Sequence, residues 1–114
     1  MRKLISVGAI LTVTMTSSFS SEQGIASYYK NPWYDGLIAA HRTLPFGSRI
    51  KVINLDNGRS AILKIVDRGP FIRGRIIDVS PTAADALGFL HAGIAHVRLE
   101  TSPEPATFYK LGPL

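Results

Sequence analysis

Residues 49–66 read RIKVINLDNGRSAILKIV, and this stretch decides the fold. In its first half, Arg49–Leu55, Ile50 and Val52 alternate with Arg49, Lys51 and Ile53, and Asn54 keeps the phase of the first set. A period of two marks a strand with one covered face. Asp56-Asn57-Gly58 is turn chemistry, because Asn and Gly tolerate the positive φ of a tight turn. Arg59–Val66 is a second β-rich run, so the stretch is expected to form a hairpin. Apolar residues on both faces near Ile62–Val66 predict a strand covered on both sides, as in a closed barrel or a sandwich.

On the N-terminal side of the hairpin, Gly24–Tyr29 (GIASYY) reads as a first strand after a short polar lead, Ser21–Gly24. Lys30–Gly36 (KNPWYDG) is a loop with turn dipeptides Asn31-Pro32 and Asp35-Gly36. Leu37–His41 (LIAAH) fits helix and strand equally, and Pro45 and Gly47 break the segment Arg42–Ser48. On the C-terminal side, Asp67-Arg68-Gly69-Pro70 stops the second hairpin strand, and Arg75–Val79 (RIIDV) is a short strand. Ser80 as N-cap, Pro81 at the first helical position and Gly88 just past the end define a helix with Thr82–Leu87 as its body. Ala95–Thr101 is a last strand, and Ser102–Leu114, with its three prolines, is expected to be a mobile tail. Several short strands with one short helix point to a small β-barrel.

Composition narrows the function. The 114 residues make one domain, and 46% hydrophobic with 18% charged residues excludes a disordered chain and a membrane bundle. With no cysteine there is no disulfide scaffold, zinc-thiolate site, cysteine nucleophile or lipid-carrying cysteine. Arg2 and Lys3, the apolar run Leu4–Met15 and the small polar residues Thr16–Ser21 have the layout of a secretory signal peptide over residues 1–20. Cleavage near Ser20 or Ser21 would leave eleven basic and eight acidic residues, a net charge of +3. That charge suits an anionic polymer or lipid head groups, and export argues against nucleic acid.

Asp67 ends a strand at a Gly-Pro turn, where sites are commonly built, although an Asp there can equally serve the turn. Asp78 ends the strand RIIDV, and Ile76, Ile77 and Val79 around it would partly desolvate it, as suits a proton donor. Its other reading is a carboxylate placed to favour the helix start. His41 could exchange or orient protons, and His91 and His96 are weaker candidates. Arg68, Arg73 and Arg75, with Arg42, could hold sugar hydroxyls or carboxylates, or form a solvated basic face. Tyr28, Tyr29, Trp33 and Tyr34 flank the early loop and could stack on sugar rings or belong to the core. No His/Asp/Glu spacing resembles a metal motif, so neither metal nor other cofactor is expected.

In order, GIASYY, AAHRTLPFGSRIKVINLDNGRS and VDRGPFIRGRIIDVSPTAADALGF resemble the RlpA-like family of bacterial cell-wall proteins from Gly24 to about Glu100. The resemblance implies a mainly β fold, a six-stranded double-psi β-barrel with one or two short helices, over residues 21–101. It implies a lytic transglycosylase that cuts the β-1,4 bond between N-acetylmuramic acid and N-acetylglucosamine and leaves a 1,6-anhydro sugar. One protonated acid suffices for this chemistry, because the C6 hydroxyl of the sugar is the nucleophile. Asp67 matches the family's Asp-Arg-Gly-Pro-Phe position and is the first choice for that acid. Asp78 matches the acid of the related glucanases and expansins, and His41 the Ala-Ala-His position.

The chain departs from the family pattern in three ways. The segment KNPWYDGLI lacks the family's Glu between the first strand and Ala-Ala-His, and Asp35 is the nearest substitute. There is no lipid-attachment cysteine, and none of the chain is left over for a C-terminal glycan-binding domain. The expected protein is therefore a secreted or periplasmic monomer, soluble after signal cleavage and without a stable membrane anchor. It would act on peptidoglycan glycan strands through catalytic Asp67, Asp78 and His41, with Arg68, Arg73, Arg75, Tyr28, Trp33 and Tyr34 binding substrate. The competing readings are a non-catalytic, expansin-like glycan-binding module, favoured by the missing Glu, and a secreted partner-binding protein.

Overall fold

The hairpin forms as its alternation predicts. In the computed structural model, which describes residues 20–101, β3 spans Arg49–Asn54 and β4 spans Ser60–Asp67. They pair antiparallel, from Arg49 opposite Lys64 to Ile53 opposite Ser60. Ile50, Val52 and Asn54 point inward, and so do Leu63 and Ile65. The expectation that β4 is covered on both faces is wrong: Ile62 is 51% exposed, and the strand alternates like its partner. A barrel strand faces its own core on one side only, and among the described residues nothing packs on the outer wall of β4 at Ile62.

The remaining strands are β1 (Ser20–Tyr28), β2 (Ile38–Ala40), β5 (Arg75–Val79) and β6 (Ala95–Thr101), with helix α1 (Pro81–Leu87) between the last two. The supposed polar lead Ser21–Gly24 is strand, because it pairs antiparallel with β6 from Ser20 opposite Thr101 to Ala26 opposite Ala95. The ambiguous segment after Gly36 resolves as the three-residue strand β2, wholly buried between β5 and β4. The order β1-β5-β2-β4-β3-β6 closes on itself, with β1/β5 and β2/β4 parallel and the other pairs antiparallel. Closure leaves no free sheet edge. The expected signal peptide and tail fall on residues 1–19 and 102–114, outside the described residues.

Val52, Leu63, Ile65, Ile77, Val97 and Leu99 fill the barrel, and Ala83, Ala84 and Leu87 of α1 close onto it. The helix has the caps read from its sequence. Ser80 Oγ accepts from the Ala83 amide, and Gly88 turns the chain out at φ +80°. The hairpin turn completes the C-terminal cap: Asn54 Nδ2 and Asn57 Nδ2 both donate to the Leu87 carbonyl, at 2.9 and 3.0 Å. Asn54 is 1% exposed, and this pairing is what makes a polar residue tolerable at a core position. At Gly24 the β1 backbone passes so near β5 that an added Cβ would lie 2.6 Å from Ile76 Cγ2 and 3.2 Å from the Gly74 carbonyl oxygen.

Two substitutions test this packing. Gly24→Ala is expected to destabilise by about 1–3 kcal/mol, the usual cost of overpacking. Asn54→Ala is expected to cost a similar ~1–3 kcal/mol by removing a buried partner of the helix end. In a domain of this size each kcal/mol lowers Tm by roughly 4–8 °C, which thermal unfolding monitored by circular dichroism resolves.

Candidate active site

The ends of four strands and one turn build the site. Ala40 of β2 lies in register with Asp67 of β4 on one side and Asp78 of β5 on the other, and Asp78 is in turn opposite Ser27 of β1. An irregularity between Ala39 and Ala40 shifts the β2/β4 register, and this brings Asp67 into the row. The row therefore runs Asp67, Ala40, Asp78, Ser27. At about 4.8 Å per strand, the backbones of Asp67 and Asp78 stand roughly 10 Å apart, with only the Ala40 methyl between them.

Asp67 is half-buried and firmly oriented. Its Oδ2 accepts from the Tyr29 hydroxyl at 2.8 Å and from Asn31 Nδ2 at 3.4 Å. Its Oδ1 accepts the Arg68 amide at 2.8 Å. Asn31 Nδ2 also donates to the Tyr29 oxygen at 2.8 Å, so the three side chains form one connected set. Asn31 Oδ1 accepts from the amides of Trp33 and Tyr34 at 2.7 and 3.0 Å, which shapes the turn carrying those aromatics. Burial pushes the Tyr29 hydroxyl up to about 12; the bond from Asn31 opposes this, and the Asp67 carboxylate adds to it. Tyr29 therefore holds its proton at neutral pH and acts as a donor to Asp67.

Asp78 is also half-buried, and the Ser27 hydroxyl donates to its Oδ1. His41, 5% exposed, turns elsewhere. Its Nδ1 accepts from the amides of Thr43 and Leu44, both at 3.1 Å. That assigns the hydrogen to Nε2, which faces Glu22 Oε1 at 3.0 Å. Both ring nitrogens are thus engaged away from Asp67, and the link between the two residues is a backbone bond, from the His41 amide to the Asp67 carbonyl, at 3.1 Å. Glu22, His41, Thr43, Leu44, Leu99 and Thr101 line a small cleft of about 180 Å³.

The expected arginine cluster disperses. Arg68 Nη1 donates to the carbonyls of His41 and Leu44 at 3.2 and 2.8 Å, and its guanidinium lies 3.9 Å from the Phe46 ring centre. It clamps the loop after β2 and makes no ion pair with Asp67. Arg73 is exposed and Arg75 half-buried, and no described hydrogen bond joins either to Asp67. Tyr28 also points elsewhere: its hydroxyl donates to the Leu90 carbonyl at 3.0 Å, and its ring packs against Phe89. Trp33, 83% exposed, and Tyr34 are surface residues. They line a cleft of about 430 Å³ with Lys30, Asn31, Asp35 and Ser80, which meets the Asp67 set at Asn31.

The sequence assigns no site role to Asn31, a turn former, or to Glu22, part of the lead, and offers Tyr29 as a stacking aromatic, not as a partner of Asp67. The pattern GIASYYKN carried a signal for Tyr29 and Asn31, since both follow the end of a strand, where sites are built. Glu22 had none, because its partner His41 is distant in sequence. Among the described residues no group of three or more His, Asp or Glu side chains is placed to hold a metal.

Alkaline titration tests the Tyr29 environment. Its phenolate absorbance is expected to rise near pH 12, after that of ordinary tyrosines. The folded state binds this proton more tightly than the unfolded chain, so the stability it contributes is complete below pH 10 and is lost as pH climbs to about 12. Asp67→Asn removes one cause of the shift and should bring the transition down.

Comparison with known proteins places this geometry. The sequence model of the lytic transglycolase family matches residues 21–99. A probable endolytic peptidoglycan transglycosylase RlpA of Nostoc sp. is 47% identical over 96 residues, covering 70% of this chain and 25% of the relative. The endolytic peptidoglycan transglycosylase RlpA of Vibrio cholerae is 42% identical over 104 residues, covering 75% and 40%. The chain thus spans between a quarter and two fifths of the length of these relatives. An expansin of Clavibacter michiganensis superposes with a TM-score of 0.60 at 17% identity, covering 75% of this chain and 52% of the expansin. A mutant of it in complex with cellohexaose superposes with 0.59 at 16% identity, covering 75% and 51%. A Streptomyces papain inhibitor gives 0.56 at 20% identity, covering 72% and 94%. At such identities the solved structures share the fold alone. The family match, the relatives and the closed six-stranded barrel agree: this chain belongs to the lytic transglycolase family and has its double-psi β-barrel fold.

Proposed function

We propose that this chain is an exported lytic transglycosylase that cleaves the β-1,4 bond between N-acetylmuramic acid and N-acetylglucosamine in peptidoglycan. The observation that carries this reading is the Asp67 carboxyl, held at an open strand end by Tyr29 and Asn31 beside an aromatic-lined cleft. The names of the relatives, all peptidoglycan transglycosylases, supply the substrate class. Protonated Asp67 gives its proton to the glycosidic oxygen as the bond from C1 of N-acetylmuramic acid to that oxygen breaks. The C6 hydroxyl of the same sugar attacks C1 and closes the 1,6-anhydro ring. Its proton passes to the Asp67 carboxylate, which restores the acid, and no water is consumed.

This division of labour makes Asp67 the acid and then the base. The alternative acid, Asp78, is bound by Ser27 and stands across Ala40 from Asp67, outside the Tyr29–Asn31 set beside the cleft. Tyr29 and Asn31 hold the carboxyl in place. His41 serves as a positioning residue: its ring turns the loop that Arg68 clamps beside Asp67, and Glu22 orients the ring. Trp33 and Tyr34 offer stacking faces to sugar rings along the cleft, and exposed Arg73 offers charge to the lactyl carboxylate. Residues 1–20 are a signal peptide removed on export, and the mature monomer acts in the periplasm or outside the cell.

The test is mass spectrometry of soluble products after incubating the protein with purified peptidoglycan. Anhydro-sugar ends are expected from the wild type. Asp67→Asn should lower their release by about 10²–10⁴-fold, the usual contribution of a positioned acid–base group. Tyr29→Phe, which removes one hydrogen bond, should cost about tenfold. Circular dichroism establishes that both variants fold. Wall pelleting without products would instead make the barrel a glycan-binding module using Trp33 and Tyr34.

A further inference from the structure

The outer wall of the β4–β3–β6 sheet carries charges that the site does not use. Arg49 and Lys64 stand directly opposite each other on adjacent strands, and Lys51 lies two residues along β3 on the same face. All three are exposed. Like charges directly opposite across a sheet destabilise it, and nothing in the packing requires them, since both side chains leave the core. Among the described residues the wall has one acid within reach, Glu100 opposite Lys51, and its carboxylate is taken by Arg98 at 3.1 Å. Among the described residues Arg49, Lys51 and Lys64 form no ion pair. Ile62, opposite Lys51 and two residues from Lys64, is 51% exposed in their midst.

We infer that this wall docks the barrel reversibly on an anionic lipid surface, with Arg49, Lys51 and Lys64 at the phosphates and Ile62 in the acyl boundary. Cations attracted to the head groups, with an apolar side chain among them, are the elements of interfacial binding. A soluble polyanion satisfies the cations but offers Ile62 nothing, and this favours lipid. The inference goes beyond the catalytic reading and involves none of its residues.

The test is co-sedimentation of the full chain with vesicles of phosphatidylcholine alone and of phosphatidylcholine with phosphatidylglycerol. The variant R49Q/K51Q/K64Q carries the same N-terminal residues, so any partition they cause is common to both proteins. Each basic side chain near an anionic surface is worth roughly fivefold in partition. The triple variant is therefore expected to lose about a hundredfold on anionic vesicles and nothing on neutral ones, with thermal unfolding unchanged. Ile62→Ser should lose about tenfold on the same vesicles. Equal partition of wild type and triple variant overturns the proposal. So does a result in which soluble polyphosphate binds wild type and not the triple variant while Ile62→Ser leaves vesicle binding intact, since that assigns the wall to a phosphate polymer. Release of anhydro-sugars is measured separately, so failure of the catalytic reading is told apart from failure of this one.

Discussion

The three residues of β2 hold the molecule and its site together. Ile38–Ala40 is the seam where the strand order passes from β5 to β4, parallel to one and antiparallel to the other. Strands this short gain little from their own ladder, so β2 exists because both its neighbours satisfy its backbone and its side chains are fully covered. Its composition matters as much as its pairing. Ala39 and Ala40 are small enough for a crowded interior, and a broken β2/β4 register would turn Asp67 out of the row.

Around that seam the site is organised by backbone as much as by side chain. Asp67 ends β4 at the turn whose next residue, Arg68, reaches back over the loop after β2. His41 starts that loop and satisfies its first free amides with a ring nitrogen. The imidazole thus does the work of a cap, and its buried environment is explained without a proton-transfer role. Tyr29 and Asn31 come from the other side, after β1, and meet Asp67 from the cleft. Asp67 is consequently held from two directions by residues far apart in sequence, the pre-organisation that the proposed proton transfer requires.

The barrel separates two kinds of surface. One end carries carboxyls, phenol and stacking aromatics around a cleft. The wall of β3 and β4 carries cations without an ion pair among the described residues, around an exposed isoleucine. Closure makes this possible, because a barrel needs no strand edge for protection and every outward position is available for something other than folding. The Asn54 and Asn57 side chains show the converse. They stand at a turn that looks like a mere hairpin loop, yet they complete the end of the only helix among the described residues.

The local elements were legible in the sequence because their determinants are local. Alternation set β3, an Asn-Gly turn set the hairpin, and Ser80, Pro81 and Gly88 bounded α1. The run of motifs from Gly24 to Glu100 named the family and with it the barrel. Three readings went astray where the answer lay in another strand. Residues Ser21–Gly24 became strand only because β6 lies beside them, Ile62 was exposed because no described residue covers that wall, and Arg68 turned from Asp67 because two carbonyls and a ring offered it a better seat. Asp67, Asp78 and His41 could be picked out as polar groups at strand ends. Which of them face one another, and that Tyr29, Asn31 and Glu22 complete their surroundings, depended on closure. Register shifts and contacts across tens of residues leave no periodic trace in a sequence, because hydrophobic pattern specifies which face of a strand is buried and not which strand lies next to it.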